Sequence, residues 1–201
     1  MPQIHKFPLL LFLGAVLSAP PALAHEQAGV AGGLLSGFLH PFGGVDHLIA
    51  MVAVGLWGAQ LGAPAIWLLP IAFPLVMAIG GVLGVLRVAL PAPEMMIAFS
   101  ALLLGGVVAM RFRAPLGLAA VFVSVFAIFH GYAHGAELPG AADPLAYGVG
   151  FVTATGLLHL LGILIGVVTR WPAGDRFVRG LGGAIALLGA YFLVASVGLK
   201  G

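Results

Sequence analysis

Between His47 and Arg87 the chain runs for 39 residues without one ionisable side chain. That is close to twice the ~20 apolar residues a helix needs to cross the hydrocarbon core of a bilayer. In lipid, only a helix or a closed barrel satisfies all of its own backbone polar groups. The rest of the sequence has the same character, with 62% hydrophobic and 7% charged residues and a mean hydropathy of +1.18. A soluble domain needs more charge on its surface, and a disordered chain has far less apolar content. The pI near 9.4 reflects a net charge of only +2, too small and scattered for a nucleic-acid partner. With no cysteine, disulfides, thiolate metal sites and cysteine nucleophiles are all excluded, so any metal must be held by nitrogen and oxygen.

Residues 1–24 read as a cleaved signal peptide. His5 and Lys6 give a short polar start, FPLLLFLGAVLSA an apolar centre, and Ala22-Leu23-Ala24 an A-x-A cleavage site. Cleavage leaves His25 as the mature extracytoplasmic N-terminus of a transmembrane domain, 25–201. Charged and Pro/Gly-rich breaks divide that domain into about six spans near 45–62, 65–86, 94–111, 115–137, 146–168 and 178–199. The apolar arm 28–40 is too short to span and leads into the first of them through a break at Pro41, Gly43 and Gly44. The expected fold is thus an all-α, polytopic membrane helix bundle, multi-pass in the inner (cytoplasmic) membrane. Six spans from an outside start put Arg111, Arg113, Arg170, Arg176 and Arg179 in the cytoplasm, and only Arg87 and Lys200 outside. This obeys the positive-inside rule and leaves both mature termini extracytoplasmic. The pairs Gly58/Gly62, Gly80/Gly84, Gly131/Gly135 and Gly162/Gly166 predict close helix packing, and Pro64, Pro70 and Pro74 a bent second span.

Polar residues break the apolar pattern in two places. In FHGYAHGAE (129–137), His134 lies ~40° and Glu137 ~20° round a helix from His130, so all three share one face. Imidazole and carboxylate are costly in hydrocarbon unless each finds a partner or a cavity, and His at i and i+4 can reach one ion. A plainer arrangement has Glu137 in the headgroup region and the histidines bonded to backbone carbonyls. In HPFGGVDH (40–47), Pro41 and the glycine pair break the helix between His40 and His47. Broken backbones hold ions in transporters. Asp46 can be a ligand, can hold an imidazole by accepting its N–H, or can cap the restarting helix. The alternating topology brings both motifs to the same membrane face. His159, in the fifth span, is either a deeper ligand or a structural hydrogen-bond partner, with Thr153 and Thr155 expected to bond their own helix backbone. His25 offers an α-amine and an imidazole to a metal, or belongs to a free terminus.

Imidazole and carboxylate without sulfur suit divalent Ni, Co, Zn or Cu better than Mg or Ca. Ligating histidines must be neutral, so ion binding is expected to weaken as pH falls through the histidine range. Three functions fit such a cluster. A permease site exchanges its ion and catalyses no reaction. An intramembrane zinc hydrolase keeps its metal, with Glu137 or Asp46 as general base on a metal-bound water. A haem-binding electron carrier needs axial histidines facing each other across a porphyrin.

The two motifs together resemble the signatures H-x5-D-H and F-H-G-x-[AV]-H-G-x-E of the HupE/UreJ family of nickel/cobalt permeases. Both are complete here, and the resemblance covers essentially the whole mature chain. It implies an inward-moving Ni2+ or Co2+ permease with no prosthetic group, supplying metal indirectly to hydrogenase, urease or cobalamin synthesis. It maps His40, Asp46, His47, His130, His134 and Glu137 onto the family's functional positions, while His159 and His25, outside both motifs, stand as further candidate metal ligands on their own chemistry.

Overall fold

The computed structural model describes residues 29–138 and 143–198. The expected signal peptide, residues 1–24, and His25 lie outside the described residues. Seven α-helices occupy them: α1 (Gly29–Leu39), α2 (Val45–Leu61), α3 (Ala65–Val85), α4 (Pro93–Ala109), α5 (Leu116–Ala136), α6 (Pro144–Gly166) and α7 (Pro172–Gly198). A 3-10 turn, His40–Phe42, joins α1 to α2, and another, Val167–Arg170, extends α6. The architecture is all-α, as expected. Helices α3, α5, α6 with its extension, and α7 are each long and apolar enough to cross a membrane. The arm and α2 meet that test together as one broken span, bent by 81°. Helix α4 has 17 residues, or ~25 Å of rise, short of the ~30 Å hydrocarbon core.

The bounds match the sequence reading closely except at α7. Its helix begins at Pro172 rather than near 178, because Asp175, Arg176 and Arg179 are compatible with a helix and merely place its first turns outside hydrocarbon. The arm is helical too, and packs along α6. Gly33 and Gly37 lie against the backbone of Asp143 and Tyr147, and Gly150 against Leu34.

Close backbone approach governs the other pairings as well. Gly80 and Gly84 of α3 lie against Ile128 and Tyr132 of α5, while Gly131 and Gly135 of α5 lie against Met77 and Gly81 of α3. Gly55 and Gly162 join α2 to α6, and Gly105, Gly182 and Gly189 join α4 to α7. Lipid tails are as apolar as leucine, so helices in a bilayer gain by packing rather than by hydrophobic sorting, and glycine allows the closest approach. Gly62, in contrast, sits at the end of α2 with φ +79° and open space around it.

Around the end of the short α4, backbone carbonyls at and just past its last turn are taken up by neighbours. Gln60 Nε2 donates to Val108 O (3.0 Å), Arg179 Nε to Ala109 O (2.9 Å) and Trp57 Nε1 to Phe112 O (2.9 Å). Helix termini otherwise expose carbonyls that cannot be left bare away from water. Arg111, just past this end, pairs with Asp175 at the start of α7 (3.1 Å). The α4–α5 and α6–α7 connections therefore meet at one end of the bundle, as the alternating order of spans requires. Asp175→Asn should lower the thermal stability of the detergent-purified protein by about 1 kcal/mol, since Arg111 is partly exposed and screened. A melting curve against the parent protein measures it.

Candidate metal centre

The site lies at the opposite end, where the 3-10 turn, the start of α2, the end of α5 and the start of α6 converge. On α5 each His-Gly step divides its work. The glycines at 131 and 135 face α3, and the preceding histidines, about 100° round the helix, meet His47 of α2. Two motifs 83 residues apart thus come into direct contact.

Three imidazoles form the inner part. His130 Nδ1 lies 2.9 Å from His47 Nε2, and His134 Nε2 also meets His47 Nε2. All three residues are buried, His130 completely. The state of His130 follows from its other side. Ser100 donates its hydroxyl to Ile97 O (2.6 Å), so its oxygen accepts from His130 Nε2–H (2.9 Å). That bond leaves the Nδ1 lone pair directed at His47. Fixing a tautomer through the far ring nitrogen is how proteins prepare imidazoles to bind metal. Two nitrogens at ~2.1 Å from one ion, in adjacent positions at right angles, stand about 3 Å apart, which is the His47–His130 spacing.

The outer part is made by His40, His134 and Glu137, each offering one donor atom within 4.8 Å of the others. His40 Nε2 lies 3.3 Å from Glu137 Oε2, with the side chains 30% and 61% exposed. Glu137 therefore stands at the mouth as the C-cap of α5, while His134 belongs to both groups. Phe151 packs on the His134 ring at 4.1 Å, and Tyr147 and Phe151, one turn apart on α6, stack with their rings 8° from parallel. They form an aromatic wall beside the imidazoles.

Asp46 is placed differently from the histidines. It lies in the first turn of α2, and its Oδ1 accepts from the His47 backbone N–H (2.8 Å). A carboxylate there favours the helix start and holds the backbone of the central histidine. His159 is fully buried on α6, with Nδ1 3.2 Å from Pro70 O. Thr153 bonds Val149 O as expected (2.7 Å). Thr155 does not bond its own helix: it is fully buried, and its Oγ1 has no partner among the described residues.

Sequence reasoning missed Ser100 and the aromatic wall. Ser100 had one available signal, being the only hydroxyl in α4 and the only polar side chain of that helix beyond Glu94 in its first turn. Ser100→Ala removes the acceptor that fixes His130, and on the transport reading below it should cut ion uptake about tenfold without changing the amount of protein in the membrane. Parallel uptake and immunoblot measurements check both halves.

The model of the family described as HupE / UreJ protein matches residues 13–192. Protein HupE of Rhizobium leguminosarum bv. viciae is 46% identical over 177 residues, covering 88% of this chain and 93% of that protein. The chain belongs to the HupE/UreJ family. It is accordingly a multi-pass membrane protein of a transporter-like family. Both motifs that carried the resemblance lie inside the region the HupE/UreJ model matches. No solved structure matches the chain.

Proposed function

We infer that this HupE/UreJ protein is a permease for a divalent transition-metal ion, Ni2+ or Co2+, carried from the extracytoplasmic side to the cytoplasm. The observation that carries this reading is the convergence of His47, His130 and His134 from two helices, with His40 and Glu137 at the mouth. Nitrogen donors backed by one carboxylate favour a borderline ion over the hard Mg2+ and Ca2+.

In this mechanism the exposed carboxylate of Glu137 and the His40 ring attract the hydrated cation. His134 draws it inward, and His47 and His130 replace part of its water shell. Side chains standing in for water are what passage through a low-dielectric bundle requires, and a site of few neutral ligands releases its cargo again. Asp46 and Ser100 hold the backbone of His47 and the tautomer of His130. The arginine-rich connections around Arg111 and Arg170 face the cytoplasm in this orientation, so the motif end faces outward in the inner membrane and both mature termini lie on that side. Hydrogenase, urease or cobalamin synthesis would receive the metal indirectly.

The test is uptake of radiolabelled Ni2+ at nanomolar concentration into cells expressing the protein, with unlabelled Co2+, Zn2+ and Mg2+ as competitors. Saturable uptake blocked by unlabelled Ni2+ or Co2+ and untouched by Mg2+ supports the reading, and the order of competition names the ion. Cells indistinguishable from those lacking the protein, with the protein verified in the membrane, would refute it.

A further inference from the structure

Helix α3 contains two prolines four residues apart, Pro70 and Pro74, and runs through both. In an α-helix the carbonyl of residue i accepts from the N–H of residue i+4. Proline has no N–H, so Pro74 leaves the Pro70 carbonyl without its helical donor. In the interior of a membrane protein such a carbonyl must find another partner. It finds His159, on α6 and 89 residues away, whose Nδ1 stands 3.2 Å from Pro70 O. A carbonyl can only accept, so His159 carries its proton on Nδ1 and presents a lone pair on Nε2.

That second nitrogen is fully buried and has no partner among the described residues. One turn earlier on the same face of α6, the Thr155 hydroxyl is also fully buried and also unpartnered. An unpaired buried polar atom is costly, and two on one helix face need a reason. The metal centre is close by. The ring of Phe73 stands edge-on to His130, with centroids 5.5 Å apart, and to His159, with centroids 5.3 Å apart. His159 therefore lies one aromatic ring beyond the innermost imidazole of the centre described above.

We propose that His159 Nε2, with the Thr155 hydroxyl beside it, is a second and inner binding station for the transported divalent ion, held ready by the carbonyl that Pro74 frees on α3. The inference rests on the transport reading. It adds a place where the ion rests after leaving His47, His130 and His134. It also gives Pro74 a role: by lacking an N–H it frees the acceptor that orients the imidazole. The order of events is capture outside, passage beyond Phe73, and transfer to His159 before release. Loss of the inner station slows passage without weakening capture.

Initial rates of radiolabelled Ni2+ uptake over a range of concentrations, for the full-length protein in cells, separate these effects. His159→Ala should lower Vmax about tenfold or more and leave KM unchanged, the signature of an interaction needed for passage rather than for initial binding. Alanine also removes the bond to Pro70, so a second variant isolates the ligand. Asparagine at 159 places a carboxamide N–H near the position of Nδ1–H and offers nothing at the position of Nε2. His159→Asn should therefore accumulate in the membrane like the wild type and still show the low Vmax. Wild-type Vmax in the asparagine variant would mean that the Pro70 bond alone matters, and would overturn the proposal, as would wild-type kinetics in His159→Ala. Failure of the transport reading looks different: the wild-type protein itself would then show no saturable uptake, and His134→Ala would be indistinguishable from it.

Discussion

Replacing His134 by alanine should abolish metal uptake while the protein still reaches the membrane. His134 belongs to both halves of the centre: it meets His47 inside and shares the mouth with His40 and Glu137. Its loss interrupts the path where the ion exchanges water for imidazole, and the expected fall is roughly a hundredfold or more, beyond the range typical of residues that only support a metal ligand. Insertion should survive, because alanine is apolar, favours a helix and removes a polar group from the interior. The check is nanomolar Ni2+ uptake normalised to the amount of protein in the membrane fraction. Uptake within a factor of about two of wild type would remove His134 from the pathway.

The second large effect concerns the fold. Gly84→Leu should prevent accumulation of folded protein. A side chain there drives into the backbone of Tyr132, Gly135 and Ala136 on α5. Backbone cannot retreat as a flexible side chain does, so α3 and α5 must separate along the seam that also positions His130 and His134. Overpacking of even a soluble core costs about 1–3 kcal/mol, and a helix pair formed by close approach has little else to hold it. Gly106→Leu on α4 and Gly156→Leu on α6 are the controls, because a side chain at either position enters open space. The expected pattern is a monodisperse peak on detergent size-exclusion for both controls and aggregation for Gly84→Leu. Equal behaviour of the three would show that the α3–α5 seam is not specified by its glycines.

These two expectations draw on what was most and least legible in the chain. The helices could be read from apolar length and punctuation, and the bounds of α2, α3 and α5 fall within one residue of that reading. The start of α7 was placed late because charge was treated as a break, whereas Asp175 and the arginines around it sit in regular helix. The alignment of His130, His134 and Glu137 follows from helical geometry, and the placing of His47 at the same end of the bundle from alternating topology, whereas their direct contact is seen only in the structure. The division of labour within the triplet was not visible. Helical phase puts three residues on one face but says nothing of depth, and Glu137 proves to be exposed where the histidines are buried.

Partners across the bundle were the hardest to foresee. The freed carbonyl at Pro70 is readable from a proline four residues later, but its recipient on α6 depends on how α3 and α6 pack. The same holds for Ser100, whose hydroxyl orients His130 from α4, and for Gln60, Arg179 and Trp57, which bond carbonyls at and just past the end of that helix. Such contacts join segments 30 to 89 residues apart, and periodicity within one helix carries no information about them. Asp46 shows the reverse case, in which a residue singled out with the histidines is used locally, on the N–H of its neighbour.

The transport reading requires that this chain alone move a divalent ion through the histidine centre. Its most direct test is the purified full-length protein in liposomes loaded with a metal-sensitive dye, with Ni2+ added outside. Dye quenching should saturate with Ni2+ and be absent with His134→Ala reconstituted at equal density. Vesicles holding wild-type protein that respond no faster than protein-free vesicles would contradict it.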